Sequence, residues 1–185
     1  MFDDKEVVSG ILAGDARAFR QLVEQHQRLV FCMINRLVAD PTVQEDLCQD
    51  IFLKVYKNIH RFSFRSKLST WIARIAYLSA VNEVKRRQRH SRLSYRVEVP
   101  DLPSGDHTPE DLLTGKEGAA WLHVLIRELP LHYQTVLNLY HLNEFSIPEI
   151  SEITGMPEGS IKSYLYRARQ LLKTRINEYL KKEIV

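Results

Sequence analysis

Two small helical domains joined by a flexible acidic linker, an all-α fold, are what this sequence predicts, and three observations lead there. Apolar residues recur three and four apart along most of the chain, and no stretch alternates as a strand would. Residues 91–107 lose that period and turn to Ser, Pro, Gly and acids. The stretch Phe145–Lys173 reads as a short helix, a glycine turn and a second helix. The expected domains are therefore residues 1–90 and 108–185, with 91–107 between them.

The elements follow in order. Asp3, Asp4 and Glu6 lie in an acidic N-terminus expected to fray. Asp15 is a candidate cap for a helix over 16–38, whose inner face is Phe19, Leu22, Val23, His26, Leu29, Val30, Met33, Ile34 and Leu37. Asp40-Pro41 breaks it and starts the next helix, 43–59, with Leu47, Ile51, Phe52, Val55 and Ile59 inward. A loop from Arg61 to Leu68 carries two phenylalanines. A long helix over about 69–89 follows, with Trp71, Ile72, Ile75 and Ala76 on its buried side. After the linker, Thr108-Pro109-Glu110-Asp111 restarts helix with a cap, a proline at the first position and acids near the positive end. Four helices are expected over 108–182.

The last two carry the strongest signal. Ser146 and Glu149 stand at capping-box spacing, and Ile147, Ile150 and Ile153 form one apolar face. Gly155 suits the stop, and Pro157 suits the start of the following helix. There Ile161, Leu165, Ala168 and Leu172 recur at helical spacing, opposite Ser160, Lys162, Ser163, Tyr166, Arg167 and Arg169. A helix-turn-helix with a basic outer face fits the DNA major groove; the bland alternative is a helical hairpin with a solvated face. Charge favours DNA. The formal net charge is only +3, but residues 61–92 net +8 and 158–182 net +5, while 97–117 net −5. Two basic blocks split by an acidic stretch suggest two contacts with one nucleic acid.

Other classes find little support. Cys32 and Cys48 make no disulfide framework and suit small hydrophobes on apolar faces. No Cys/His pair has zinc spacing, so neither metal nor cofactor is expected. The N-terminus lacks a signal-peptide core, and no apolar run nears the roughly 20 residues of a membrane span. A cytoplasmic, reduced protein is the expectation. No carboxylate cluster, nucleophile–base pair or Gly-rich phosphate loop appears, so an enzyme is not expected.

Four stretches carry a family resemblance: AFRQLVEQHQRLVFCMINRL (18–37), QEDLCQDIFLKVYKNIHRF (44–62), KLSTWIARIAYLSAVNEVKRR (67–87) and ELPLHYQTVLNLYHLNEFSIPEISEITGMPEGSIKSYLYRARQLLK (128–173). Their order resembles an extracytoplasmic-function sigma factor, the minimal two-domain class of bacterial sigma factor. The resemblance implies a first domain (1–90, region 2-like) that binds core RNA polymerase, melts DNA and reads the minus-ten element. It implies a second (108–185, region 4-like) that reads the minus-thirty-five element. The implied partners are core RNA polymerase, double-stranded promoter DNA, melted single-stranded minus-ten DNA and an anti-sigma factor. The implied state is a monomer without membrane insertion, and the polymerase, not this chain, makes the RNA.

Site residues follow from the same resemblance. Glu45-Asp46-Leu47 with Gln49, Asp50 and Phe52 is similar to the polymerase-binding motif, and Asp46, Gln49 and Asp50 share a helix face able to pair with Arg and Lys. For minus-ten DNA the implied residues are Phe62, Phe64, Arg65 and Lys67 in the loop, then Asn82, with Lys85, Arg86, Arg87 and Arg89 on phosphates. Trp71 lies just after the loop, and core is its simpler reading. GSIKSYLYRAR resembles the family's recognition helix. Lys162, Ser163, Tyr166 and Arg167 face the groove on that resemblance, Arg169 meets phosphate, and Ser160 caps the helix or binds phosphate through its amide.

The sequence departs from the family at the minus-ten positions. Phe64 and Arg65 stand where Gly and an acid are usual, Leu78 where Asn is frequent, and Asn82 where Asp is frequent. Leucine cannot hydrogen-bond a base edge, so an unusual minus-ten motif is expected, or Asn82 and the loop do the reading. The rival reading is a helix-turn-helix repressor or activator that works without being a polymerase subunit.

Overall fold

The computed structural model describes residues 3–38, 40–91, 122, 124–126 and 128–183, and its regular elements among those residues are all helical. The helices are α1 (Asp4–Leu12), α2 (Ala16–Leu37), α3 (Pro41–Asn58), α4 (Leu68–Ser91), α5 (Leu131–Leu137), α6 (Ile147–Thr154) and α7 (Glu158–Glu183). A 3₁₀ turn, Ile59–Arg61, follows α3, and a π turn, Asn138–Leu142, follows α5. The expected linker beyond Ser91 and the helix restart at Thr108–Asp111 lie outside the described residues. Packing groups α1–α4 with the segment 148–156 in one unit, and the described residues of 94–147 and 157–185 in a second.

In the first unit, aspartates start three helices in the same way. Asp3, Asp15 and Asp40 accept from the amides of Lys5, Arg17 and Thr42 at 3.0, 2.8 and 3.1 Å. Each supplies an acceptor for an amide that the helix cannot pair internally. The N-terminal acids thus open α1 instead of fraying, because Val7, Val8 and Ile11 bury its apolar stripe. The helix expected to start at residue 43 begins at Pro41, where Asp40 caps it and the proline needs no amide partner.

α2 and α4 form the centre of this unit, with α3 packed on both. Leu22, Val30 and Ile34 of α2, Ile51 and Val55 of α3, and Ile72, Ala73, Ala76 and Ala80 of α4 are fully buried. Each large aliphatic side chain contributes about 1.5–3 kcal/mol by leaving water. The alanines let α4 approach its neighbours closely. Gly10 does the same for α1, since a Cβ there would stand 2.8 Å from Cβ of Ala18. Gln44 is buried and secures the α2–α3 corner, donating to the Val38 carbonyl at 2.7 Å and to Asn35 Oδ1 at 3.1 Å.

In the second unit, α5 packs along α7, and Val136, Leu137, Leu139, Ile161, Leu165 and Ala168 are buried. Cys32 and Cys48 are free and half-buried. Among the described residues, no helix is long and apolar enough to cross a membrane.

Candidate polymerase and nucleic-acid interface

On α3, Asp46, Gln49 and Asp50 are exposed together, one helical turn apart. Phe52 is not on that face. It is 7% exposed and packs in the core with Ile51 and Val55, so it braces the acidic stripe from beneath. Lys54 Nζ donates to Ser79 Oγ of α4 at 3.0 Å, which pins the rotation of α3 and hence the direction of the stripe. Leu53, 52% exposed, continues the stripe by one turn. Its apolar exposure escaped the sequence reading, although the same spacing from Gln49 and Asp50 points to it.

The loop between the 3₁₀ turn and α4 is an aromatic step. Phe62 is buried, with its ring centroid 4.7 Å from that of Phe64 and 5.5 Å from that of Trp71. Phe64 is 47% exposed and sits at φ 56°, in the left-handed region that bulky side chains avoid. Phe62 is thus a support, and Phe64 is the face that solvent meets. Trp71 is half-buried against Phe62, neither wholly core nor an open platform. Arg65 is exposed. Lys67 pairs with Glu149 at 2.9 Å, the same carboxylate that accepts from Thr70 Oγ1 at 3.4 Å, and Arg74 donates to the Glu152 carbonyl.

Along α4, Leu78, Asn82, Lys85 and Arg89 recur four, three and four residues apart, and all four are exposed. Helical spacing continues this stripe back through Ile75 to Trp71, so the basic end and the aromatic step lie along one line. Arg86 and Arg87 are engaged elsewhere. Glu83 accepts two hydrogen bonds from Arg86, both 2.8 Å, and one from Arg87 at 2.9 Å. Arg87 also reaches the Asp40 carboxylate at 3.4 Å. Hydrogen bonds from Arg86 hold the Glu83 carboxyl below its ordinary range, with Arg87 adding to the effect against desolvation. Lys85 and Arg89 are then the cations of this helix end with no carboxylate partner among the described residues.

The helix-turn-helix has the expected local chemistry. Gly155 ends α6 at φ 75°, donating its amide to the Ser151 carbonyl at 2.8 Å. Ser151 Oγ donates to the Met156 carbonyl at 2.7 Å, and Thr154 Oγ1 accepts from the Met156 amide, which tightens the turn. On α7, Lys162, Ser163, Tyr166, Arg167 and Arg169 are exposed and Ser160 is half-buried. Tyr166 is 66% exposed. Tyr164, by contrast, meets His132 at a tilt and Tyr133 edge-on, at ring distances of 4.8 and 5.7 Å. The exposed set is therefore a single polar and basic face. No group of three His, Cys, Asp or Glu among the described residues is placed to hold a metal.

The family follows from sequence relatives. The sigma-70 region 2 model matches residues 22–90, and the sigma-70 region 4 model matches residues 119–172. The RNA polymerase sigma-H factor of Pseudomonas aeruginosa is 30% identical over 185 residues, covering 96% of each chain. The extracytoplasmic-function RNA polymerase sigma-E factor of Haemophilus influenzae is 30% identical over 182 residues, covering 94% of this chain and 95% of its own. The chain belongs to the extracytoplasmic-function sigma factors. A solved structure shares the fold: sigma factor RpoE of Bartonella quintana in complex with the anti-sigma factor NepR. Its TM-score is 0.72 at 20% identity, with 88% of this chain and 98% of that chain covered. In this sigma factor the region 2 match contains the α3 stripe, the aromatic step and the α4 stripe. The region 4 match contains the whole basic face of α7.

Proposed function

We propose that this sigma factor directs core RNA polymerase to specific promoters and helps open their DNA, with the division of labour written in its exposed faces. The observation that carries it is the pairing of both sigma regions in order with the exposed basic face of α7. Asp46, Gln49 and Asp50, with Leu53, form the polymerase-facing stripe. Acids and an amide beside an apolar side chain suit a partner surface of Arg and Lys around an apolar spot. Lys162, Ser163, Tyr166 and Arg167 read the minus-thirty-five duplex, and Arg169 and Ser160 position the helix on phosphate. A bidentate base contact is worth about 1–3 kcal/mol of discrimination.

Minus-ten recognition is assigned to Phe64, Arg65, Lys67 and Asn82, with Phe62 supporting Phe64. Leu78 on the same line as Asn82 offers a base only apolar contact. Lys85 and Arg89 hold phosphates directly, whereas Arg86 and Arg87 must first leave Glu83 and Lys67 must leave Glu149. The chain works in the cytoplasm as a monomer on polymerase and carries out no chemistry of its own. The solved complex of RpoE with the anti-sigma factor NepR supports a regulator of that kind here. A free-standing repressor is disfavoured by the region 2 match over residues 22–90.

Adding the purified protein to core polymerase on genomic DNA, then sequencing the transcript 5′ ends, tests the proposal. Starts clustered behind one bipartite motif are expected. Transcripts identical to those of core polymerase alone would refute it.

A further inference from the structure

α5 does not end where its α-helical hydrogen bonds end. It runs into the π turn Asn138–Leu142, closed by Asn143 N–H donating to the Asn138 carbonyl at 3.1 Å. Phe145 N–H then donates to the Leu139 carbonyl at 3.0 Å, Phe145 is buried, and Glu144 takes φ 57° to close the corner. π turns are rare and cluster at functional sites. This one presents Tyr140 and His141 to a single side chain of α7. Arg169 Nε and one terminal nitrogen lie 3.2 and 3.0 Å from His141 Nε2, and its guanidinium carbon is 5.6 Å from the Tyr140 ring centroid.

The chemistry of that contact is specific. Arg169 donates from its side edge, formed by Nε and one terminal nitrogen. Three of its five N–H groups have no partner among the described residues, two of them on the end edge between the two terminal nitrogens. Arg169 is an exposed residue. His141 must be neutral, with its proton on Nδ1, to accept at Nε2. Burial, and then the Arg169 charge, push the His141 pKa below its ordinary value, which keeps the acceptor in place at neutral pH.

We infer that His141, set by the π turn, is a positioning residue that holds the side edge of Arg169 and leaves its end edge to fork a DNA phosphate. This rests on the assignment of Arg169 to the phosphate backbone. An arginine already held in place loses less side-chain freedom on binding, and a guanidinium fork matches a phosphate in a way a lysine does not. Tyr140 completes the cradle by supporting the flat face of the guanidinium.

The test uses the full chain and a fluorescent mixed-sequence 30-base-pair duplex, with anisotropy read from 50 to 200 mM salt. Losing one phosphate contact reduces the slope of log K against log salt by about 0.9, so wild type should lose about 3- to 4-fold more affinity over that range than Arg169→Ala. His141→Leu should give at least half of that change in slope, and His141→Gln, which keeps an acceptor, should retain the wild-type slope. His141→Leu/Arg169→Ala should match Arg169→Ala alone. An unchanged slope in Arg169→Ala overturns the phosphate assignment itself. A reduced slope in Arg169→Ala with a wild-type slope in His141→Leu overturns only the positioning role. Equal loss in His141→Gln and His141→Leu overturns the acceptor role.

Discussion

Replacing Phe64 by glycine should leave stability almost unchanged while weakening the grip on unpaired DNA. At φ 56° a side chain costs about 1–2 kcal/mol of backbone strain, which glycine relieves. Glycine's freedom in the unfolded chain takes back about 0.5–1 kcal/mol. The lost ring pair with Phe62, 4.7 Å apart, removes about 0.5–1.5 kcal/mol, with a small further loss because Phe64 is already 47% exposed. These contributions nearly cancel, so Phe64→Gly should lie within about 1 kcal/mol of wild type. Phe64→Ala loses the ring and keeps the strain, and should be about 1 kcal/mol less stable than the glycine variant. Denaturant unfolding followed by Trp71 fluorescence, in a Trp121→Phe background, reads the comparison. The same variants, bound to polymerase on a fork with unpaired minus-ten bases, should lose one stacking contact of about 1–3 kcal/mol, roughly 5- to 150-fold. Equal stability of the two variants refutes the strain argument. Wild-type affinity of Phe64→Gly for the fork refutes the stacking role.

Four further outcomes are expected. Arg167→Ala should relax upstream sequence preference by about 1–3 kcal/mol while leaving polymerase binding unchanged, measured by selection of promoter variants beside a pull-down of core polymerase. Asp15→Ala removes the 2.8 Å cap on α2 and should destabilise the first unit by about 0.5–2 kcal/mol in denaturant unfolding. Glu144→Gly at the exposed φ 57° corner should raise the thermal midpoint by relieving about 1 kcal/mol of strain; a lowered midpoint would count against the corner geometry. Desolvation lowers the His26 pKa against the opposing pull of Asp4, and its buried Nε2 has no partner among the described residues. The folded state therefore favours neutral His26. That advantage is full above the ordinary histidine pKa near 6.5 and is lost as pH falls toward the lowered one. The unfolding free energy of wild type should fall more between pH 7 and 5 than that of His26→Leu.

Much of the fold was legible because helical spacing alone assigns inner and outer faces. Asp15 marks a cap, Asp40-Pro41 marks a helix break, and Gly155 and Pro157 place the turn before α7. α1 is harder to see: Asp3, Val7, Val8 and Ile11 carry a cap and a matching stripe, but the clustered acids suggest a frayed end, and burial of that stripe decides otherwise. The bracing of Arg86 and Arg87 was also open to reading, since Glu83 stands three and four residues before them. Their shared carboxylate turns two expected phosphate contacts into conditional ones. Helical spacing puts Phe52 inward although the family motif groups it with the polymerase-binding residues, and the structure buries it; Phe62, grouped by the motif with the DNA-facing residues, is buried as well.

Spacing and charge in the chain itself determined an all-α architecture, the acid-amide face of α3 and the basic face of α7, because these depend on periods of three and four that local residues set. Only the tertiary structure decided which partners those faces keep. The φ of Phe64 comes from a loop anchored on Phe62, and no propensity of phenylalanine predicts it. The hold of His141 on Arg169 joins residues 28 apart, through a π turn without a periodic signature. Periodicity says which way a side chain points along its own helix. Packing between elements says what it meets there.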